Sequence, residues 1–301
     1  MKYFDYGHSM FILSVILASF RPIFYKEYKD YFFITVFFSL LSMYIGGILY
    51  SYYNLKKDET IKDKIKYSLE PKNLIYSFVS EMRFILKQFA VINLPLTISI
   101  PMNNLWMLSS AYFGKVINNE TPSIVQIISI CVIILGSVIL NLHKIFEKNS
   151  KQFDKKSYIK GITALLLSTF LGGYIFSIFK HISTETQDPG VTMSIESGGS
   201  LIIAALILLY DRLTSKIINI PSFKNSMIMF FSLTFLFNID ILLRFIGLSK
   251  IPQMDSLFLS QIGTIIPVLV GFYFYKEKMN LNKLLGMGVI TFGSLLDSVV
   301  G

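Results

Sequence analysis

Residues Ala90–Ile139 read AVINLPLTISIPMNNLWMLSSAYFGKVINNETPSIVQIISICVIILGSVI, and Gly247–Leu296 read GLSKIPQMDSLFLSQIGTIIPVLVGFYFYKEKMNLNKLLGMGVITFGSLL. The two stretches align without a gap at an offset of 157 residues. Pro95 meets Pro252, Ser99 meets Ser256, Gly114 meets Gly271 and Glu120 meets Glu277. Further along, Gly136 meets Gly293 and Ser137 meets Ser294, while Lys87 meets Arg244 just upstream. A prolyl start, a mid-helix glycine and an acidic exit recur in the same order, so the chain uses one unit twice. A weaker alignment of the first helices, at an offset of 154, pairs Ala18 and Ser19 with Gly172 and Gly173, and Lys26 with Lys180.

Outward from this register, apolar runs between polar punctuation predict ten helices. They run over His8–Tyr25, Tyr31–Tyr53, Asn73–Ile92, Pro95–Ile117, Ser123–Leu142, Ser157–Lys180, Ser194–Asp211, Ser226–Leu248, Gln253–Tyr275 and Asn280–Val299. Most approach the roughly 20 residues that cross about 30 Å of hydrocarbon. With 53% hydrophobic and 16% charged residues, the chain departs from the roughly 25% charged usage of soluble domains, and lipid is the expected solvent. The opening stretch holds Asp5, His8, Arg21 and Pro22 with no small-residue cleavage pattern, so it reads as a first span rather than a signal peptide.

The expected fold is therefore an all-α integral membrane protein of ten transmembrane helices. Residues 1–142 form the first five-helix repeat, 143–156 a basic connecting loop and 157–301 the second repeat, together one membrane domain. Five is odd, so the second copy enters from the opposite side and the repeats are inverted. Inverted repeats are an architecture by which carriers alternate access to a midplane site.

The formal charge of +9 does not point to nucleic acid, because most lysines lie in two hydrophilic connectors, Asn54–Lys72 and Leu142–Lys160. Basic juxtamembrane loops beside anionic lipid account for them. Both long loops are equally basic, so the positive-inside rule leaves the orientation open, as it does the choice of plasma, inner or organelle membrane. Cys131 stands alone and cannot form an intrachain disulfide. His8, His143 and His181 have no metal-ligand spacing, and no cofactor is expected.

At Gly114-Lys-Val-Ile-Asn-Asn-Glu120 followed by Gly136-Ser137, and again at Gly271 to Glu277 followed by Gly293-Ser294, the sequence resembles the drug/metabolite transporter superfamily, with its EamA-like and nucleotide-sugar carriers. In that family an aliphatic fourth or ninth helix ends near an acidic residue and the next helix carries a glycine. The resemblance covers nearly the whole chain. It implies a ten-helix carrier rather than an enzyme, working as a monomer or homodimer in a bilayer. Nucleotide-sugar transporters of the best-known branch carry a lysine just before a small-residue triplet in the fourth helix. Trp106 stands at that place, in Leu105-Trp106-Met107-Leu108-Ser109-Ser110-Ala111.

Charges at membrane depth cost at least about 2.5 to 3.5 kcal/mol each on insertion scales, so those present face a wet cavity or a partner. Glu81, Arg83 and Lys87 lie in the third helix, with Arg83 and Lys87 on one face; Asp240 and Arg244 form an i,i+4 pair in the eighth. The register sets the two clusters at equivalent positions. A carboxylate, phosphate or zwitterion suits them; the plainer reading pairs Asp240 with Arg244 and lets Lys87 snorkel to a helix end. The amides Asn103, Asn104 and Gln261 are expected to line the pathway, and Trp106 to stack a ring-bearing substrate or simply to pack. Pro101 and Pro267 interrupt helices at inequivalent points.

Glu120 and Glu277 stand at helix exits, where Ser123 with Gln126 makes a capping box and Asn280 can cap the tenth helix, so both glutamates read as structural. The predicted function is alternating-access transport of a small polar metabolite, anionic or zwitterionic. A nucleotide-sugar transporter is the alternative within the family. A membrane enzyme on lipid-borne substrates, with Glu185 and Asp188 beside His181 in a loop as its nearest residues, and a scaffold or channel are the alternatives from other classes.

Overall fold

The computed structural model describes residues 6–19, 32–55, 59–94, 103–146, 155–213, 238–263, 266 and 281–300. Among these residues it is all helical, with eleven helices. They are α1 Tyr6–Ala18, α2 Phe32–Tyr53, α3 Ile61–Ser68, α4 Pro71–Asn93, α5 Trp106–Asn118, α6 Ile124–Phe146, α7 Lys155–Thr186, α8 Pro189–Leu213, α9 238–248, α10 Gln253–Ser260 and α11 Leu281–Val300.

Two expectations change. The connector Asn54–Lys72 is not all loop, because Thr60 starts a helix in it: its Oγ1 accepts from the Asp63 amide at 3.2 Å and donates to the Asp63 carboxylate at 2.7 Å. The predicted loop holding Glu185 and Asp188 is nearly absent. α7 runs to Thr186, Gln187 takes a positive φ of 50°, and Asp188 then caps α8 by accepting from the amides of Gly190 and Val191 at 3.0 and 3.3 Å. Local polar groups supplied the helix starts that hydrophobic periodicity did not see.

The predicted fourth and ninth helices are described in part, as α5 and α10; Pro95, Ser99, Pro101, Pro267, Gly271, Glu277 and Asn280 lie outside the described residues. The capping box at Ser123 forms: Ser123 N–H donates to Gln126 Oε1 at 3.0 Å, and Gln126 N–H to Ser123 Oγ at 3.2 Å. Upstream, Asn119 adopts the left-handed conformation with φ 57°, and the Glu120 amide returns to the Gly114 carbonyl at 3.1 Å, closing α5.

The chain divides into two compact units, each drawn from both sequence halves: Met82–Ile178 with Ile251–Gly301, and Tyr6–Glu81 with Phe179–Lys250. In the first, α6 and α11 pack along their length. A Cβ at Gly136 would stand 2.8 Å from Ile290 N and 3.0 Å from Gly286 O; one at Gly293 would stand 2.8 Å from Ile133 Cγ1 and 3.1 Å from Ser129 O. At the offset of 157, Gly136 corresponds to Gly293, Ile133 to Ile290 and Ser129 to Gly286. The contact is thus reciprocal, as in an isologous interface. Partner numbers fall on α11 as they rise on α6, so these equivalent helices run antiparallel. Beside them Met107, Ala111, Ile130, Ile133, Met254, Leu257, Phe258 and Ile290 form a buried cluster.

In the second unit α2 and α8 are the principal pair, also antiparallel. Gly47 meets the Gly190 carbonyl and Ser194 and Gly190 meets Gly47 and Ser51, contacts at which a Cβ would collide with backbone. Gly199 lies on Ser77 of α4, and Gly247 of α9 on Phe11 and Gly7 of α1. Lys180 Nζ donates to the Leu248 carbonyl at the end of α9.

Small polar side chains share the interior with the apolar core, while many large apolar ones lie on the surface. Ser14, Ser42, Ser77, Ser110, Ser129, Ser177, Ser197 and Gln253 are buried, whereas Ile124 and Leu281 are 77% and 69% exposed and Leu49, Leu135 and Leu209 more than half. Such apolar surface is favourable against lipid and costly against water. Among the described residues one helical stretch, Tyr158–Thr186, meets the length and apolarity of a span by itself, with shorter apolar helices at Tyr6–Ala18, Ile124–Ile139 and Leu281–Leu296.

Candidate functional site

α4 places Arg83 and Lys87 one turn apart, and so on one face. Arg83 reaches α7 at Gly172: a Cβ there would stand 3.3 Å from Arg83 Nε and 3.5 Å from Trp106 Cβ. The missing side chain lets the guanidinium and the start of α5 converge on one point of α7. One turn on, Trp106 meets Phe176 edge to face, with centroids 5.2 Å apart and planes at 75°. Gly173 has a different role, sitting against the backbone of Ser109 and Ser110. Ser109 Oγ donates to the Phe170 carbonyl at 2.8 Å, fixing α5 on α7 beside the indole. Lys87 is half-buried and has no carboxylate partner among the described residues; the charge acting on it is the like charge of Arg83. Arg83 and Trp106 thus approach one point of α7, with Lys87 one turn along α4 from Arg83.

The other predicted residues are placed differently. Asn103 is half-buried in the turn before α5. Asn104 is 5% exposed and donates through Nδ2 to Ser137 Oγ, which donates to the Ile133 carbonyl at 3.0 Å. Gln261 is 2% exposed, its Nε2 on Met107 Sδ at 3.2 Å and Ser260 Oγ at 3.3 Å. Both amides thus have protein partners in the buried cluster. Asp240 and Arg244 belong to the other unit, where Arg244 Nη2 lies 3.6 Å from the fully buried Asp240 Oδ1.

Three features escaped the sequence reading. Gln253 is fully buried: its Nε2 donates to Ser110 O and Oγ at 2.7 Å and to Ser177 Oγ at 2.6 Å, while its Oε1 accepts from Asn118 Nδ2 at 2.8 Å. Its amide N–H donates to Glu120 Oε2 at 2.5 Å, so Glu120 caps α10. The signal was a lone glutamine after Pro252 in an apolar run. Glu196 of α8 lies at the crossing with α4 near Ser77, a lone acid in Ser194-Ile-Glu-Ser-Gly-Gly199.

The third is a cleft of about 570 Å³ in the second unit, lined by α3 and its flanks together with α7 and α8, including Glu59, Lys64, Tyr67, Glu70, Glu185 and Thr186. Lys64 Nζ bridges Glu59 at 3.0 Å and Asp188 at 3.2 Å. Burial works against the Lys64 charge, but Glu59 and Asp188 outweigh it and hold the ammonium above the ordinary lysine value of 10.5. Asp188 also accepts from Ser51 Oγ at 3.0 Å, and His181 lies 3.8 Å from Glu185 on the exposed face of α7. Among the described residues no group of three or more His, Cys, Asp or Glu could hold a metal ion.

Residues 5–142 match the model of the EamA-like transporter family. No curated protein matches by sequence. A solved structure titled only "Crystal structure of protein" is similar over 98% of this chain and 96% of its own, with TM-score 0.76 and 12% identity, a likeness of fold.

Proposed function

We propose that this chain, which through residues 5–142 belongs to the EamA-like transporter family of the drug/metabolite transporter superfamily, is a secondary carrier that moves a small anionic or zwitterionic metabolite by alternating access. The family is a multi-pass membrane family of transporters. The convergence of Arg83 and Trp106 on Gly172, with Lys87 one turn away, carries the substrate class. A guanidinium grips carboxylate or phosphate, and an indole adds selectivity for a planar group.

The ten-helix inverted repeat supplies the mechanism. The reciprocal packing of Gly136 and Gly293 supports it, because equivalent helices related by a two-fold axis in the membrane plane meet antiparallel through the same residues. Two arrangements of equal construction then have comparable stability, and a bound substrate selects between them. Trp106 at the usual lysine position favours this broader class over nucleotide sugars. Asp188 caps α8 and pairs with Lys64, which gives it a structural role in place of an enzymatic one.

The test is counterflow in proteoliposomes with a set of labelled organic acids, amino acids, nucleotides and their sugar conjugates. Saturable exchange of one anionic or zwitterionic class, lost in Arg83→Gln, is expected. Flux absent across the set, or carried only by cations, would overturn the proposal.

A further inference from the structure

Gln253 stands at the start of α10 and is fully buried against α5 and α7. Its side chain leaves no polar atom idle. Nε2 shares its protons among Ser110 O, Ser110 Oγ and Ser177 Oγ, while Oε1 accepts from Asn118 Nδ2, which also donates to the Ser177 carbonyl at 3.1 Å. Ser177 Oγ in turn donates to the Gly173 carbonyl at 2.9 Å. The partners of Gln253 all lie on the two helices where Trp106 and Gly172 meet Arg83. Trp106 is one turn before Ser110 on α5, and Gly172 and Phe176 are the chain neighbours of Gly173 and Ser177 on α7.

Between the indole and this knot the two helices touch backbone to backbone, because a Cβ at Gly173 would collide with Ser109 and Ser110. With no side chain there to yield, α5 can turn on α7 but cannot sink into it. Trp106 and Asn118 stand at opposite ends of α5, about 18 Å apart along its axis. A tilt that moves the indole against Phe176 therefore also moves Asn118 against Ser177 and Gln253. The knot belongs to one half of the chain only. At the offset of 157, Gly114 and Glu120 recur as Gly271 and Glu277, but Gln253 corresponds to Leu96, Ser110 to Pro267 and Asn118 to Tyr275. The glycine and the acidic exit are part of the repeated frame, and the polar groups that join α5, α7 and α10 are added to it.

We propose that Gln253 is a positioning residue of the substrate site: its knot fixes how α5 lies on α7 and so sets the opening between Arg83 and Trp106, and a ring-bearing anion or zwitterion entering that opening loosens the knot and frees the start of α10. With the site empty, the buried groups of the knot are paired and α10 is held in one place. With the indole displaced, Ser110 and Asn118 shift against Ser177, and Gln253 cannot keep all its partners unless α10 moves. The substrate thus favours the arrangement in which α10 has moved. This coupling rests on the carrier reading; the positioning of Trp106 does not.

Trp106 is the single tryptophan of the chain, so a fluorine label on its indole reports on the site by itself. The test is fluorine NMR of the full chain carrying fluorotryptophan, in nanodiscs. With no ligand present, Gln253→Leu and Ser177→Ala are each expected to shift or split the Trp106 resonance, whereas Gly136→Ala, which strains the α6–α11 contact of the same unit, leaves it in place. A resonance unmoved in both knot variants, or moved equally in Gly136→Ala, overturns the positioning role. Should Gln253→Leu fail to fold, Ser177→Ala, which removes one hydroxyl, decides. Benzoate and phenylalanine, an anion and a zwitterion that carry a ring, then probe the coupling, with cyclohexylammonium as the cationic control. In the wild type one of the first two is expected to shift the resonance and to speed amide exchange over Gln253–Ser260; in Ser177→Ala and Gln253→Leu the resonance still shifts but the change in α10 is lost. A shift at Trp106 with no change in wild-type α10 overturns the coupling. No shift with benzoate or phenylalanine, or a shift with cyclohexylammonium alone, removes the ring-bearing anion site and the coupling with it, and leaves the positioning of Trp106 standing.

Discussion

Gly136 of α6 lies against Ile290 on α11, and Gly293 lies against Ile133, each glycine meeting the repeat equivalent of the other's partner. The space is short on both sides: an added Cβ would sit 2.8 Å from Ile290 N at one and 2.8 Å from Ile133 Cγ1 at the other. Gly136→Ala and Gly293→Ala are therefore each expected to destabilise by about 1–3 kcal/mol, the range of overpacking. Gly288, with nothing within 4 Å, is the control, and Gly288→Ala is expected to be neutral or stabilising because alanine suits a helix better. Thermal unfolding in detergent separates the cases; equal loss in all three variants would remove the reciprocal contact as the reason for these glycines.

Gln253 holds together α5, α7 and α10 through one side chain, and Gly114 makes room for it, a Cβ there falling 3.0 Å from Gln253 Nε2. Gln253→Leu fills the volume but removes the acceptor of Asn118 Nδ2 and the donor to Ser110 and Ser177. Its expected cost is about 1–3 kcal/mol for each group that finds no new partner. Glu120→Gln keeps an acceptor near the Gln253 amide and is expected to cost much less. Because Glu120 acts as a cap, Glu120→Gln is also expected to leave the pH profile of transport unchanged; a shifted profile would return the glutamate to the coupling machinery.

The features legible in sequence are those that repeat. Gly114, Glu120, Gly136 and the Ser123 capping box stood out because the same residue types recur at a fixed offset or a fixed local spacing, and the described structure gives each a contact or a cap. Gln253 and Glu196 have no counterpart of their kind, Leu96 and neutral neighbours standing in the other half, so nothing in the register marked them. α3 was hidden because it is short, with only Ile61 and Ile65 on its apolar side among lysines, and its start depends on a Thr60–Asp63 cap. Whether an amide faces a pathway or a core is set by tertiary packing, and for Asn104 and Gln261 the pattern of apolar and polar positions gave no sign of Ser137 or Met107 as partners.

The Lys64–Asp188 pair ties α3 to the junction of α7 and α8, and its pH dependence has a definite sign. The folded value of Lys64 lies above 10.5, so its contribution is fully present below pH 10.5 and is lost as pH rises through the folded value. Hydrogen exchange of the α3 amides is therefore expected to be flat from neutral pH to 10.5 once the intrinsic rate is removed, and to accelerate as pH rises through the folded Lys64 value. Lys64→Met should show the fast exchange at neutral pH. Asp188→Asn loses the ion pair yet keeps the α8 cap, and Asp188→Ala is expected to cost about 1 kcal/mol more because the cap goes too. Equal behaviour of the Asn and Ala variants would argue against Asp188 as the helix cap.

Gly172 offers the sharpest test of the substrate site, because it carries no chemistry and acts only through the space it leaves between Arg83 and Trp106. If those two side chains receive a substrate, Gly172→Leu should abolish binding by occupying the convergence point, while Gly172→Ala, with 3.3 Å to Arg83 Nε, should weaken it modestly. Arg83→Lys keeps the charge and loses the planar fork, so for a carboxylate or phosphate it should raise the dissociation constant about tenfold or more, the worth of a charge-assisted bidentate bond. Lys87→Met removes long-range attraction and should weaken binding in a manner that high salt reproduces in the wild type. Trp106→Phe should be tolerated and Trp106→Ala not, if a flat group is what the indole meets. These variants are read by thermal-shift titration with the metabolite class found in counterflow. Unchanged affinity in Gly172→Leu would move the substrate away from α7 altogether, since no pose between Arg83 and Trp106 survives a leucine there.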